Sequence, residues 1–382
     1  MKNKTCRVGM IGTRFMGRAH ANAFGQAARF FDLPLQVELC SVAGKDVEKT
    51  NAFAKKWNIE NPTGSWQSMV ADPTIDLIDV ATPNHLHAAP VLAALKAGKH
   101  VVCEKPLAPD LATGREMMLA AKKSKQKTFV WFNYRRCPAV ALAHMLVKSG
   151  KLGAIRHIRA HYLQSWGGPE TPLLWRFKKK FAGTGAHGDL NAHIVDMARF
   201  ITGDEVKEIF GAVGKTFIKE RQIPGTNKMG RSDVDDSFMF LAGMKGGATA
   251  SFEASRLAPG HLNDNHMEIN GEGGSIRFSF EDMNVLEFYD ANDKEGLDGW
   301  RRIMCTDQAN HPWVDAWWPD AHIIGYEHTF TNQVADMMCA LAGKKPVVPL
   351  ADFNDAYQTQ RVLEAAVISA KEGRRLKMSE VK

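Results

Sequence analysis

Between residue 6 and about residue 128, short apolar runs alternate with stretches whose apolar positions recur at helical spacing. The runs are CRVGMI, QVELCSVA, LIDVAT, HVVCEK and TFVWF. The stretches between them predict helices around Gly17 to Phe30, Val47 to Trp57, Ala88 to Ala97 and Ala112 to Ser124. Strand and helix in repeated turn predict a doubly wound parallel sheet. After about residue 150 the period changes. IRHIRAHYLQ, VKEIFGAVGKTF, DDSFMFLAGM, GATASFEASRL, HMEINGE and GSIRFSF, broken by LAGMKGG and NGEGG, predict an antiparallel meander. A first domain over residues 1–128 and a second over 129–345 are expected. A C-terminal segment, 346–382, follows with a long amphipathic helix from Phe353 to Gly373, expected to pack back on the first domain.

Composition changes this picture little. The 382 residues suit two domains and a cleft between them, and 45% hydrophobic with 24% charged residues is the balance of a globular protein. The formal charge of +7 is spread along the chain, and its longest basic run is only Lys178 to Lys180. Nucleic acid is therefore not expected as a partner, whereas an anionic small molecule is compatible. Six cysteines at 6, 40, 103, 137, 305 and 339 form no CxxC pair, so reduced core thiols of a cytoplasmic protein are expected. The opening MKNKTCRVGMIG lacks the apolar run of a signal peptide, and no stretch approaches the roughly 20 apolar residues of a membrane span.

The first chemistry lies in GMIGTRFMG, Gly9 to Gly17, where a strand runs directly into a helix. A G-x-G-x-x-G turn there would place backbone N–H groups and the positive helix end against a pyrophosphate. Gly12 and Gly17 fit that spacing, and Arg14 stands where the middle glycine is expected. By itself the stretch is also compatible with an ordinary strand-to-helix corner. Two further strand ends, ATPNHLH (Ala81 to His87) and CEKP (Cys103 to Pro106), fall on the same edge of such a sheet, where ligands collect. Lys105 precedes Pro106 in an X-Pro turn that would aim it inward. His85 and His87 have no carboxylate or cysteine at helpful spacing, and no metal is expected. In the second domain, Asp189 and His193 stand four residues apart, with Asp196 three further along. Leu190, Ile194, Met197 and Ile201 supply the neighbouring apolar stripe. A solvated polar face and a catalytic pair are both compatible with that spacing.

With these motifs the chain resembles the Gfo/Idh/MocA oxidoreductases. FMGRAHANAF, FNYRR, YLQSW, WRF, FEDMN, AWWP and GYEHTF are most similar to their levoglucosan dehydrogenase-like branch. The resemblance implies an N-terminal Rossmann domain and a C-terminal α/β domain with a large, mostly antiparallel open sheet. It also implies NAD as cofactor and catalytic roles for Lys105, Asp189 and His193. Implied cofactor contacts are Gly12, Arg14, Phe15 and Met16 at the glycine turn and Lys45 after the second strand. Thr82, Asn84 and His87, then Glu104 and Lys105, follow at the next strand ends, and Trp175 and Arg176 come from the second domain. Implied substrate contacts are Lys105, Tyr134, Gln164, Trp166, Arg176, Asp189 and His193.

The residue types suit the oxidation of a secondary alcohol. An imidazole can take the hydroxyl proton, an ammonium can steady the alkoxide, and a carboxylate can orient both. The resemblance implies a sugar or cyclitol oxidised at a ring hydroxyl as substrate, with Trp166 against its C–H face and Gln164 and Arg176 on its hydroxyls. The second strand ends in AGKD without a free acid at the ribose position, so NADP stays open beside NAD. Two alternatives are an enzyme that holds NAD tightly for transient oxidation in glycoside elimination or epimerisation, and a non-enzymatic sugar or nucleotide sensor. A homodimer or homotetramer through the open sheet is expected.

Overall fold

The computed structural model describes residues 5–381. Its first sheet is wholly parallel and contains six strands, Thr5–Ile11 (β1), Gln36–Ala43 (β2), Asn61–Thr63 (β3), Leu77–Val80 (β4), His100–Cys103 (β5) and Thr128–Val130 (β6). They lie in the order β3-β2-β1-β4-β5-β6. Helices Phe15–Phe30 (α1), Val47–Trp57 (α2), Trp66–Ala71 (α3), Ala88–Lys96 (α4) and Leu111–Lys123 (α5) form the crossovers. The strands are near-continuous apolar runs, as burial on both faces requires, and β4 is buried at all four positions. Because β1 pairs with both β2 and β4, the chain reverses direction across the sheet at β1. The carboxyl ends of β1, β4 and β5 therefore open into one crevice.

The sheet continues to Val130, two residues beyond the expected domain end at 128, because β6 pairs with β5. After helix Pro138–Lys148 (α6) comes the second sheet, which begins with Ile155–Leu163 (β7). Helices Lys179–Ala182 (α7) and Ala192–Thr202 (α8) precede Val206–Lys215 (β8), and a separate ribbon pairs Glu220–Gln222 (β9) with Met229–Arg231 (β10). The sheet is completed by Ser237–Met244 (β11), Thr249–Ser255 (β12), Asp264–Gly271 (β13), Gly274–Ser279 (β14), Val285–Asp290 (β15), Arg301–Met304 (β16) and, near the C-terminus, Leu376–Lys377 (β17). Its order is β16-β15-β14-β13-β7-β12-β11-β8-β17. Neighbours are antiparallel except β7 and β12, which run parallel. One face packs under α6, α8 and the long helix Phe353–Glu372 (α11), and buries Ile158, Phe240, Phe252, Ile269 and Phe278. The other face alternates outward and carries Met239 and Leu241 in the open.

After the short helix Val314–Trp317 (α9), helix Tyr326–Leu341 (α10) departs from the expected division of the chain. It falls inside the stretch assigned to the second domain, yet Phe330, Val334 and Met338 pack with Val8, Phe24 and Trp131 against the first sheet. Helix α11 packs on α5 and β6 and equally on β8 and α8 of the second domain. Helix α11 thus packs against both domains. Among the described residues no helix is long and apolar enough to cross a membrane, and all six cysteines are free.

Candidate active site

The glycine turn forms from two steric demands. Gly12 has φ +120°, and a Cβ there would lie 2.4 Å from the Ala81 carbonyl oxygen. A Cβ on Gly17 would lie 2.2 Å from the carbonyl oxygen of Gly12, so the helix can approach the strand only without a side chain. Arg14 meets neither demand. Its backbone is extended (φ −86°) and it caps α1, so an L-residue fits there without strain. Helix α1 has no side-chain cap and no acid in its first turn, which leaves its N-terminal N–H groups for an anion.

A cleft of about 970 Å³ extends from this turn. Gly12, Arg14, Phe15 and Met16 line it, with Lys45 after β2, Thr82 after β4, and Trp175 and Arg176 from the second domain. No carboxylate lines it among the described residues. Asp46, next to Lys45, caps α2 through the Lys49 N–H and pairs with the Lys49 ammonium. The buried Thr82 hydroxyl has no partner. An elongated cleft with an uncapped helix end, cations and an orphan hydroxyl fits a dinucleotide whose pyrophosphate sits at the start of α1.

Phe15, Met16, Thr82, Trp175 and Arg176 also wall a second cavity, of about 440 Å³, between the domains. Lys105, Asp189, His193, Gln164, Trp166, Asn84 and Glu104 line it as well. Lys105 projects from a turn that contains a cis Lys105–Pro106 peptide. Its Nζ donates to Asp189 Oδ1 (2.9 Å) and to the Asp189 carbonyl oxygen (2.8 Å). The other carboxylate oxygen of Asp189 accepts from Arg256 at 2.8 Å. Burial opposes charge on Asp189, but Lys105, Arg256 and Arg176 outweigh it and hold the carboxyl well below the usual range. For His193, burial and then Lys105 push the imidazole well below its ordinary value, against a smaller opposite pull from Asp189. His193 is thus neutral at pH 7. Its Nδ1 is buried without a partner, which leaves Nε2 as the nitrogen able to meet a ligand.

Asp189 does not sit in a regular α-helix. His187–Asn191 is a π-helical turn that leads into α8, and His193 lies in the first turn of that helix. The stripe Leu190, Ile194, Met197 and Ile201 is buried as expected. Asp196 departs from the edge it was expected to share and turns inward, where Arg135 Nε donates to it at 2.8 Å.

Four expected contacts are placed differently. His87 is fully buried beneath the cleft, with Nδ1 3.2 Å from the Leu107 carbonyl and Nε2 2.9 Å from the Thr82 carbonyl. It supports the strand ends and does not face a dinucleotide. Tyr134 lies behind His193, with ring centroids 4.5 Å apart, and its hydroxyl meets that of Tyr162 at 2.8 Å. It backs the imidazole and does not line the cavity. Glu104 reaches the cavity wall, but its carboxylate is engaged below, with His20 and the Lys105 backbone N–H. Asn84 spends its amide across the domains on the Ala182 carbonyl (3.0 Å).

Sequence reasoning missed Arg256, Asn133 and Tyr326, all of which line the cavity. Tyr326 stands in the quoted GYEHTF and stacks parallel to Phe15. Arg256 is the residue after β12, where a lone basic residue at a strand end was the available signal. Its guanidinium lies 5.0 Å from the Trp166 ring centroid. Gln164 and Trp166 hydrogen-bond each other at 2.7 Å, and Gln164 also donates to Asn263 at 2.7 Å.

This geometry agrees with comparisons against known proteins. Residues 6–132 match the family model of an oxidoreductase family with an NAD-binding Rossmann fold, and residues 140–277 match the Gfo/Idh/MocA C-terminal domain. The chain belongs to the Gfo/Idh/MocA oxidoreductases. Within the family it is 38% identical over 378 residues to the levoglucosan dehydrogenase of Pseudarthrobacter phenanthrenivorans, which covers 95% of each chain. Its fold superimposes with TM-score 0.93 on a levoglucosan dehydrogenase in complex with NADH and levoglucosan, 39% identical over 98% of this chain and 99% of that one. An oxidoreductase domain protein from Kribbella flavida aligns with TM-score 0.94 and 46% identity, over 98% and 99% of the two chains. Membership in this family makes the protein a nicotinamide-dependent oxidoreductase with NAD as the cofactor of its first domain.

Proposed function

We propose that the protein is an NAD-dependent dehydrogenase that oxidises a ring hydroxyl of a pyranoside, anhydrosugar or inositol. The observation that carries this reading is the convergence of Lys105 from the first domain and Asp189 and His193 from the second on one 440 Å³ cavity that shares a wall with the dinucleotide cleft. The relatives named for levoglucosan support the substrate class.

Lys105 donates a hydrogen bond to the substrate hydroxyl and stabilises the alkoxide as it forms. His193, neutral at pH 7, accepts the hydroxyl proton at Nε2. Bound NAD+ supplies the hydride acceptor for the carbinol carbon. Asp189, held by Lys105 and Arg256, fixes the ammonium and offsets part of its charge beside His193. Trp166 offers an apolar face and Gln164 polar contacts to the ring. A cavity of this volume suits a single small ring, and the aromatic and polar walls divide its recognition. Arg14 and Lys45, on the wall of the cleft, would hold the phosphates and ribose of the dinucleotide, and with no acid lining that cleft among the described residues NADP+ enters the same screen. The enzyme works in the cytoplasm as a homodimer or homotetramer through the open face of the second sheet.

The test is a panel of pyranosides, anhydrosugars and inositols with NAD+ or NADP+, read by absorbance of the reduced nicotinamide. Net reduction with at least one ring alcohol is the expected result. Conversion of a glycoside without net reduction would favour transient oxidation by held NAD. Ligand binding without any conversion would favour a sensor.

A further inference from the structure

Beneath the Lys105 turn lies a buried ion chain that the scheme above leaves unused. His20, in α1, has no exposed surface. Its Nδ1 lies 2.9 Å from Asp79 Oδ2 and its Nε2 lies 3.0 Å from Glu104 Oε1. With both carboxyls ionised, each ring nitrogen meets an oxygen that can only accept, so satisfying both requires a proton on each nitrogen. The other carboxylate oxygens are also occupied. Asp79 Oδ1 accepts from the Trp131 indole N–H at 3.0 Å, and Glu104 Oε2 accepts from the Lys105 backbone N–H at 3.1 Å. Trp131 closes one side of the imidazole by stacking at 4.3 Å, and Phe330 of α10 packs at 5.7 Å. The chain therefore runs from the middle of the first sheet to the backbone of the cavity's ammonium residue, and its side chains, Trp131, Asp79, His20 and Glu104, are buried.

We propose that His20 is a positioning residue for the reaction: as an imidazolium it clamps Glu104, whose second oxygen fixes the Lys105 amide and so sets the direction from which Lys105 enters the cavity. The proposal rests on the reading of Lys105 as the group that meets the substrate hydroxyl. Burial disfavours the charge, but Asp79 and then Glu104 overcome it and raise the imidazole from 6.5 to about 9. The titratable groups around the chain are Asp79 on β4, Cys103 and Glu104 at the end of β5, Lys105 next to Glu104, Tyr326 on α10 near Glu104, and His87 ahead of α4, whose imidazole burial pushes down and keeps neutral. The thiol and the phenol are pushed up by burial and so stay neutral while His20 titrates. Without the imidazolium, two buried carboxylates lose the cation between them, and Glu104 has no reason to hold its present rotamer. His20 lines neither cavity, so dinucleotide binding does not depend on it directly.

The test compares the full-length protein with His20→Gln. The expected result is a kcat roughly 100-fold lower, the scale of a misplaced catalytic group, with NAD+ affinity by calorimetry within about two-fold. The unaltered enzyme should lose activity as pH rises through about 9, where His20 gives up its proton, and that limb should be absent in the variant. Nitrogen-15 NMR of labelled histidine should show both His20 nitrogens protonated at neutral pH. Where His20→Gln fails to fold, Glu104→Gln keeps the side-chain volume and should reproduce the loss of kcat. A folded variant of either kind with unchanged kcat would overturn the proposal, as would a neutral His20 ring at pH 7. Absence of turnover by the unaltered enzyme would instead count against the dehydrogenase reading, and the NMR result alone would then decide the His20 charge.

Discussion

The dinucleotide cleft and the reaction cavity share a wall but are made of opposite materials. The cleft is shaped by missing side chains: Gly12 at positive φ, Gly17 against the Gly12 carbonyl, and an uncapped helix end, with no carboxylate on its lining among the described residues. The cavity is shaped by charged side chains drawn from distant segments, with Lys105, Asp189 and Arg256 in one hydrogen-bonded chain and His193 beside it. A site made of backbone fails when a side chain is added, because nothing can move aside. A site made of side chains fails when a charge is removed, because the groups left behind are buried without their partners. The two should therefore respond to mutation in separable ways, one in affinity for dinucleotide and the other in turnover.

The largest expected effect breaks the chemistry and spares the cleft. His193→Ala should lower kcat by roughly 10²–10⁴-fold, the usual worth of a positioned base, while NAD+ affinity measured by calorimetry changes by less than about three-fold. Equal losses in kcat and affinity would mean that the two sites are not separable. Next, Lys105→Met keeps the length of the side chain and removes its donor. It should cost roughly 10²–10³-fold in kcat, and the Asp189 carboxyl, deprived of its first counter-charge, should titrate higher, visible as a new acidic dependence of whatever turnover persists. Gly17→Ala attacks the other region. A Cβ 2.2 Å from a carbonyl oxygen forces α1 away from β1, so dinucleotide affinity should fall at least ten-fold and the melting temperature should drop. At saturating NAD+ its kcat should stay within a few-fold of the parent.

The pH profile sharpens the same contrast. His193 is held below its ordinary pKa by burial and by Lys105, so its basic form persists at neutral pH and below it. The activity limb that belongs to this base should appear only as pH falls beneath about 6.5, the value for a free imidazole. Stability should decline in the same direction, because there the unfolded chain takes up a proton that the folded imidazole refuses. A limb centred above that value would show that burial and Lys105 do not hold the imidazole below its ordinary value.

How much was legible follows the same division. The strand-helix period located β1, β2, β4, β5 and most of α1, α2, α4 and α5, because both periods are written locally in apolar spacing. The glycine spacing marked the same turn but left an ordinary strand-to-helix corner open. Helix α10 was not read at all and fell inside the range given to the second domain, since nothing local tells an amphipathic helix which apolar face it will meet. The parallel pairing of β7 with β12 was invisible in a run of strands that otherwise reads as a meander. Lys105, Asp189 and His193 do come together, yet the π-helical turn around Asp189 is a tertiary adjustment that a helical wheel cannot show. Tyr134 and His87 are aromatic or imidazole groups near the site that the fold spends on support. Arg256 was passed over because one arginine at a strand end carries no spacing, and its role exists only opposite Asp189.

The smallest expected effect falls on the residue that first made the glycine turn ambiguous. Arg14 takes an extended backbone that any residue adopts, and the positive φ of the turn belongs to Gly12. Arg14→Gly therefore removes no strain, and it adds chain entropy at a helix cap, where glycine costs only a few tenths of a kcal/mol. What it does remove is a guanidinium on the wall of a cleft that no carboxylate lines among the described residues. An exposed charge-assisted contact to a phosphate is worth on the order of 1 kcal/mol, so NAD+ affinity should weaken about five-fold, more at low salt than at high. A salt-independent loss would mean that the arginine acts through the backbone after all. An unchanged affinity would mean that its side chain turns away, and that the cleft holds its dinucleotide by the helix end and glycines alone.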